Sequence, residues 1–219
     1  MKKFVTLLCL LLVLCACTEK PQEPIVEEVD IKELYPEITG ECAIKDASKE
    51  DVLAMLKNGT GVVFFSWIDC PWCHGYIDIV NNAALSNDIS VLYYDIYNDR
   101  DENNEFYQEV CKLIEDYVDI YAYETYGQTK KAYDSNGKVR VYVPMTIVVN
   151  KGEIIGMDYS SSMESGFEEN FDKYWNEEIK AGFTKRDHLL EYFNNCFSII
   201  KSSLDEQAEQ GCSENCKIG

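Results

Sequence analysis

The run Gly61-Val62-Val63-Phe64-Phe65-Ser66-Trp67, followed at once by Ile68-Asp69 and then Cys70-Pro71-Trp72-Cys73, decides how the rest of the chain is read. β-Branched and aromatic residues dominate it without polar alternation, the pattern of a strand buried on both faces. Beyond it Cys73, Tyr76, Ile77, Val80 and Ala84 recur at helical spacing. The two cysteines therefore stand where a buried strand ends and a helix begins. Ile89 to Tyr97 is a second strand-like run, and a crossover through the intervening helix makes the two strands parallel.

This placement carries chemistry. A thiol reacts as its thiolate, and unpaired backbone amides with the positive end of the helix dipole stabilise a thiolate at a helix N-terminus. Cys70 holds that position and is read as the nucleophile. Cys73, one turn on, can attack a mixed disulfide at Cys70 and release the product. Pro71 suits the first helical position, where its missing N–H has no helical partner.

Working outward, Ser48-Lys49-Glu50-Asp51 predicts a capping box opening a helix that carries Val52, Leu53 and Leu56 and ends near Gly59 or Gly61. Residues 98–139 are acidic and tyrosine-rich, with Tyr107, Cys111, Ile114 and Val118 on one face of a helix from about Glu102. Val139 to Val149 and Glu153 to Tyr159 are strand-like and joined through Asn150-Lys151-Gly152, short enough for an antiparallel hairpin. Phe171, Tyr174, Trp175 and Ile179 make a helical stripe. Thr184-Lys185-Arg186-Asp187 caps a last helix with Leu189, Leu190, Phe193, Phe197 and Ile200.

The chain has 219 residues, 46% of them hydrophobic, enough for one sizeable core. Its formal charge of −19, from 39 acids and 20 bases, argues against nucleic acid as a partner, since phosphate binding needs clustered Lys and Arg. Met1-Lys2-Lys3 is basic and Phe4 to Ala16 is almost wholly apolar, too short for a comfortable membrane span and right for a signal peptide over 1–16. Leu14-Cys15-Ala16-Cys17 resembles the lipobox of bacterial lipoproteins, which implies lipidation of Cys17 and a place in the cell envelope, anchored outside the cytoplasm. Residues 17–40, acidic with Pro21, Pro24 and Pro36, are read as an extended tether without fixed structure. The domain is expected over 41–208 and a flexible tail with Cys212 and Cys216 over 209–219.

The ordered set formed by Val62 to Trp67, Cys70-Pro71-Trp72-Cys73 and Val143-Pro144-Met145-Thr146 leading into Ile147 to Glu153 resembles the thioredoxin-like thiol–disulfide oxidoreductases, of the lipoprotein kind. The resemblance covers roughly Glu41 to Leu204. It implies an α/β fold with a central mixed sheet flanked by helices, and a helical insertion at about 98–139 before the strand led by a cis proline. It implies that Cys70 and Cys73 form a redox-active disulfide, that Pro144 is cis and lies against it, and that the Val143 backbone pairs with a substrate strand. Trp72 is expected to face substrate rather than brace the loop. Substrates would be exported cysteine-containing proteins, with a membrane or extracytoplasmic redox relay as electron partner. Two departures stand out: Phe64 occupies the position of the buried acid found in reductive members, and Cys73 and Pro144 lie further apart than in minimal thioredoxins.

Other readings stay open. Cys70-Pro71-Trp72-Cys73-His74 also fits a c-type haem attachment pattern with His74 as axial ligand. Cys70, Cys73, Cys212 and Cys216 have a spacing that zinc could use, although a local or inter-chain disulfide of Cys212 and Cys216 is preferred and no metal is assigned. A non-catalytic binding module with a structural disulfide is a third possibility. Cys111 and Cys196 read as buried small hydrophobes, and Cys42 could pair with one of them. Cys9 and Cys15 leave with the signal and Cys17 is lipidated, so seven of the ten cysteines remain, an odd number. No Gly-x-Gly-x-x-Gly follows a strand, so no diffusible cofactor is expected.

Overall fold

A computed structural model describes residues 29–121, 132–159 and 171–215. In chain order the elements are α1 (Ile31–Leu34), β1 (Ile44–Asp46), α2 (Lys49–Asn58), β2 (Gly61–Ser66), α3 (Pro71–Ser86), β3 (Val91–Asp95), α4 (Glu105–Ile114), β4 (Met145–Asn150), β5 (Glu153–Asp158), α5 (Phe171–Trp175), β6 (Glu178–Lys180), β7 (Phe183–Thr184) and α6 (Lys185–Asn215). The first five strands form one mixed sheet in the order β1-β3-β2-β4-β5. β2 is parallel to β3 and antiparallel to β4, so it is hydrogen-bonded on both edges. All six of its residues are buried.

Helices cover both faces of this sheet, making the molecule α/β. Residues alternate across a strand, and β2 shows it. Phe64 stacks on Tyr76 of α3 at 5.7 Å, while Phe65 meets Tyr94 edge-on at 6.3 Å, and Tyr94 lies 5.0 Å from Phe106 of α4. Phe193 of α6 closes on Tyr76 from beyond. Gly156 of β5 allows α6 to come close: a Cβ there would stand 2.9 Å from Cys196 Sγ and 3.1 Å from the Tyr192 hydroxyl.

Several local expectations are realised. Ser48 and Asp51 form the reciprocal capping box of α2. Thr184 and Asp187 exchange the corresponding bonds at the start of α6. The β4–β5 hairpin is antiparallel, and its two loop residues, Lys151 and Gly152, both have positive φ, as a type I′ turn requires.

Other expectations are corrected. Residues 31–38 belong to the core and not to a tether: Ile31, Tyr35 and Ile38 are buried, because a short amphipathic segment has an apolar cleft beside β1 and β3 to fill. The expected 139–149 strand begins only at Met145, since Pro144 has no N–H to give a ladder and Val139 makes just an isolated bridge to Tyr133. α4 begins at Glu105, where the Asn104 side chain accepts the Tyr107 amide. Ile179 leaves the helical stripe: α5 ends at Trp175, and Ile179 is exposed in β6. Helix α6 continues to Asn215, into the stretch read as a tail. Among the described residues no helix is long and apolar enough to cross a membrane.

Candidate functional site

β2 ends at Ser66, and the chain turns once before α3 begins at Pro71. Cys70 is the N-cap of α3. Its carbonyl accepts the first helical amides, from Cys73 and His74, and its own amide donates to Trp67 O.

The two thiols differ sharply. Both are reduced, Cys70 just reaching the surface and Cys73 wholly buried. The Cys70 thiol is lowered to about 7, chiefly by the hydrogen bond from Cys73. Burial opposes this, and the amides of Cys73 and Trp72 and the charge of His74 assist it. Cys73 is pushed well up, first by burial and then by Cys70 beside it. Near neutral pH a substantial share of Cys70 is therefore thiolate, held by a Cys73 thiol.

Val143 O lies 3.9 Å from Cys70 Sγ, and the Val143–Pro144 peptide is cis. The four residues Cys70, Cys73, Val143 and Pro144 thus converge on one place from two chain segments. Trp72 departs from expectation. It is buried, with its ring edge-on to Tyr174 at 5.0 Å, so it braces the motif and does not present a face to solvent. The apolar body of an indole gains more from Tyr174 than from water.

His74 Nε2 lies 2.7 Å from Ile68 O and Nδ1 lies 3.0 Å from Glu37 Oε1. Ile68 O is an acceptor, so Nε2–H donates to it, and Nδ1 faces the Glu37 carboxylate. With both nitrogens engaged, neither is directed to an axial metal in this arrangement. Tyr35 lies against the same imidazole at 4.8 Å.

Residues not singled out from sequence complete the site. The Tyr35 hydroxyl lies 2.8 Å from Ser66 Oγ and 3.3 Å from the Tyr93 hydroxyl, and Ser66 hydrogen-bonds Cys73. Burial drives Tyr35 and Tyr93 far above the ordinary phenol range, so both stay neutral. On β5 Asp158 is a fully buried carboxylate that accepts a 2.8 Å bond from Tyr76, one helical turn after Cys73. Tyr76 also lies 3.1 Å from Thr146 Oγ1. The spacing of Ile31, Leu34, Tyr35 and Ile38 held a helical signal that could have revealed the docked segment. Nothing local marks Asp158.

No disulfide joins Cys42 to Cys111 or Cys196, so the pairing considered for Cys42 is not made. Cys42 Sγ bonds instead to Ile44 O at 3.4 Å. Cys17, Cys216 and the side chain of Cys212 lie outside the described residues. Among the described residues no cluster of His, Cys, Asp and Glu is arranged to hold a metal ion. No protein-family model, curated protein or solved structure matches the chain.

Proposed function

We propose that this protein is a thioredoxin-like thiol–disulfide oxidoreductase, held outside the cytoplasm by a lipid on Cys17, which exchanges a dithiol for a disulfide with cysteine-containing protein substrates. The observation that carries the reading is the opposite poise of two adjacent thiols at a helix N-terminus, Cys70 lowered to about 7 and Cys73 raised. A structural bridge has no use for that difference, whereas an exchange reaction needs one ready nucleophile and one that waits.

In the reducing direction Cys70 thiolate attacks a substrate disulfide, forming a Cys70–substrate disulfide and expelling one substrate sulfur as thiolate. Cys73 then gives up its proton and attacks Cys70 Sγ, closing the Cys70–Cys73 disulfide and releasing the second substrate sulfur. Two electrons pass from protein to substrate, and the reverse sequence oxidises a substrate dithiol. The Val143 carbonyl beside Cys70 supports a role in pairing with the substrate backbone, with Pro144 shaping that edge. A second redox protein would restore the starting state, as no diffusible cofactor takes part in this scheme.

The test is a Cys73→Ser variant incubated with envelope proteins. It should accumulate mixed disulfides through Cys70, which dithiothreitol releases and Cys70→Ser abolishes. Equilibration of the wild type against glutathione ratios, followed by tryptophan fluorescence, should show a reversible transition. A potential near −270 mV would indicate a reductant and one near −120 mV an oxidant. Absence of both trapping and a reversible transition would leave a binding module with thiols that do not turn over.

A further inference from the structure

The chain contains three arginines, at positions 100, 140 and 186. Arg186 has an ordinary partner, Asp78, at 2.5 Å. The other two line one cavity of about 650 Å³ beside α4, with Tyr107, Cys111, Lys112 and Lys138 among its other walls. Among the described residues neither Arg100 nor Arg140 has a carboxylate within ion-pair distance. In a chain with 39 acids against 20 bases, that arrangement is the reverse of what composition favours.

The two guanidiniums also oppose each other. Arg140 lies over the Tyr142 ring at 5.3 Å. Arg100 is partly desolvated, and burial followed by the charge of Arg140 lowers its affinity for its proton. The acids on the cavity wall do not resolve this. Glu102 is bound to Lys138 at 3.1 Å, and Asp134 is occupied by the amides of Asn136 and Lys138. Glu115 lines the cavity without pairing to either arginine. Two half-buried like charges on one cavity repel, and an anion between them relieves the repulsion. Guanidinium forks match carboxylate and phosphate oxygens in geometry as well as charge.

We propose that Arg100 and Arg140 form a binding site for a small-molecule anion bearing a carboxylate or phosphate group. The cavity exceeds what a lone ion fills and falls within the range of small-molecule pockets, roughly 300–1,000 Å³, so an organic body accompanies the anionic group. Tyr107 anchors the wall: its hydroxyl accepts the Val141 amide at 3.2 Å and hydrogen-bonds Arg100. The site is independent of the thiol chemistry.

The experiment is calorimetric titration of the whole chain with inorganic phosphate and, separately, succinate, at constant ionic strength in chloride. Saturable one-site binding is expected, weakened at least about tenfold, or ~1.4 kcal/mol, in Arg140→Gln. Binding of phosphate alone assigns a phosphorylated ligand, and of succinate alone a carboxylate. The thermal midpoint of the wild type should rise with the bound anion while that of Arg140→Gln does not. Without added anion Arg140→Gln should be no less stable than wild type, since the substitution removes a repulsion. Glu115→Gln keeps both arginines and removes a lining acid, and should tighten binding severalfold. Absence of saturable binding by either probe overturns the site, as does undiminished affinity in Arg140→Gln and Arg100→Gln alike. A variant that loses stability yet keeps the anion-dependent rise makes Arg140 structural and equally overturns it.

Discussion

Cys70 and Cys73 are the same residue type three positions apart, and what separates them is the depth of burial and which sulfur of the pair receives the hydrogen bond. Cys70 receives the Cys73 thiol and two amides; Cys73 is wholly buried beside Cys70, and the Ser66 hydroxyl and Trp67 amide offset that burial only in part. Hydrogen bonds to the charged form lower a thiol, and burial raises it. The rate of iodoacetamide alkylation at Cys70 should therefore rise with pH through a midpoint near 7, read by mass spectrometry of the labelled peptide. Cys73→Ala removes the largest favourable contribution, so the midpoint should move up; an unchanged or lower midpoint would contradict the assignment. Cys73 should remain unlabelled over the same range until the protein unfolds. Here the identity and order of the thiols were legible from their place at the head of a helix. The means of tuning was not, since it depends on where sulfur atoms point.

At the scale of elements, two connections deserve separate tests. The β4–β5 turn needs Gly152 twice over: its φ is +80°, and an added Cβ would stand 2.4 Å from Lys57 O at the end of α2. Gly152→Ala should cost about 1–3 kcal/mol in urea unfolding, and a loss within error would show that α2 can move aside. The second connection is the 31–38 segment. Tyr35 ties it to the end of β2 through Ser66 and to β3 through Tyr93. Tyr35→Phe keeps the ring and removes the hydroxyl, leaving buried partners short of a bond, so a loss of roughly 1–3 kcal/mol is expected. Hydrogen exchange should then locate the added opening in residues 31–38; exchange that rises evenly across the molecule would refute a local latch. The composition of residues 17–40 suggested a tether because acids and prolines outnumber the apolar residues across that stretch, while burial depended on the few apolar residues of 31–38.

For the whole molecule the dominant long-range force is self-repulsion from a formal charge of −19. Raising sodium chloride from about 10 to about 150 mM shortens the Debye length from about 30 to about 8 Å. The thermal midpoint of the reduced protein should therefore rise, because most of the described ion pairs that salt would weaken have at least one exposed partner and contribute little. A midpoint that falls would mean the described pairs outweigh the net charge. The sequence by itself determined what nearest neighbours decide: the buried β2 run, the thiols at the start of α3, the capping boxes at Ser48 and Thr184, and the hairpin at Lys151-Gly152. Each rests on groups within a few positions of one another, so spacing and residue type suffice. Only the tertiary structure turned Trp72 inward onto Tyr174, brought Tyr35 to Ser66 and Asp158 to Tyr76, and set Arg100 beside Arg140. Those partners are separated by 31 residues for Tyr35 and Ser66 and 82 for Tyr76 and Asp158. No local periodicity records such pairings, because they follow from how the helices seat on the two faces of the sheet.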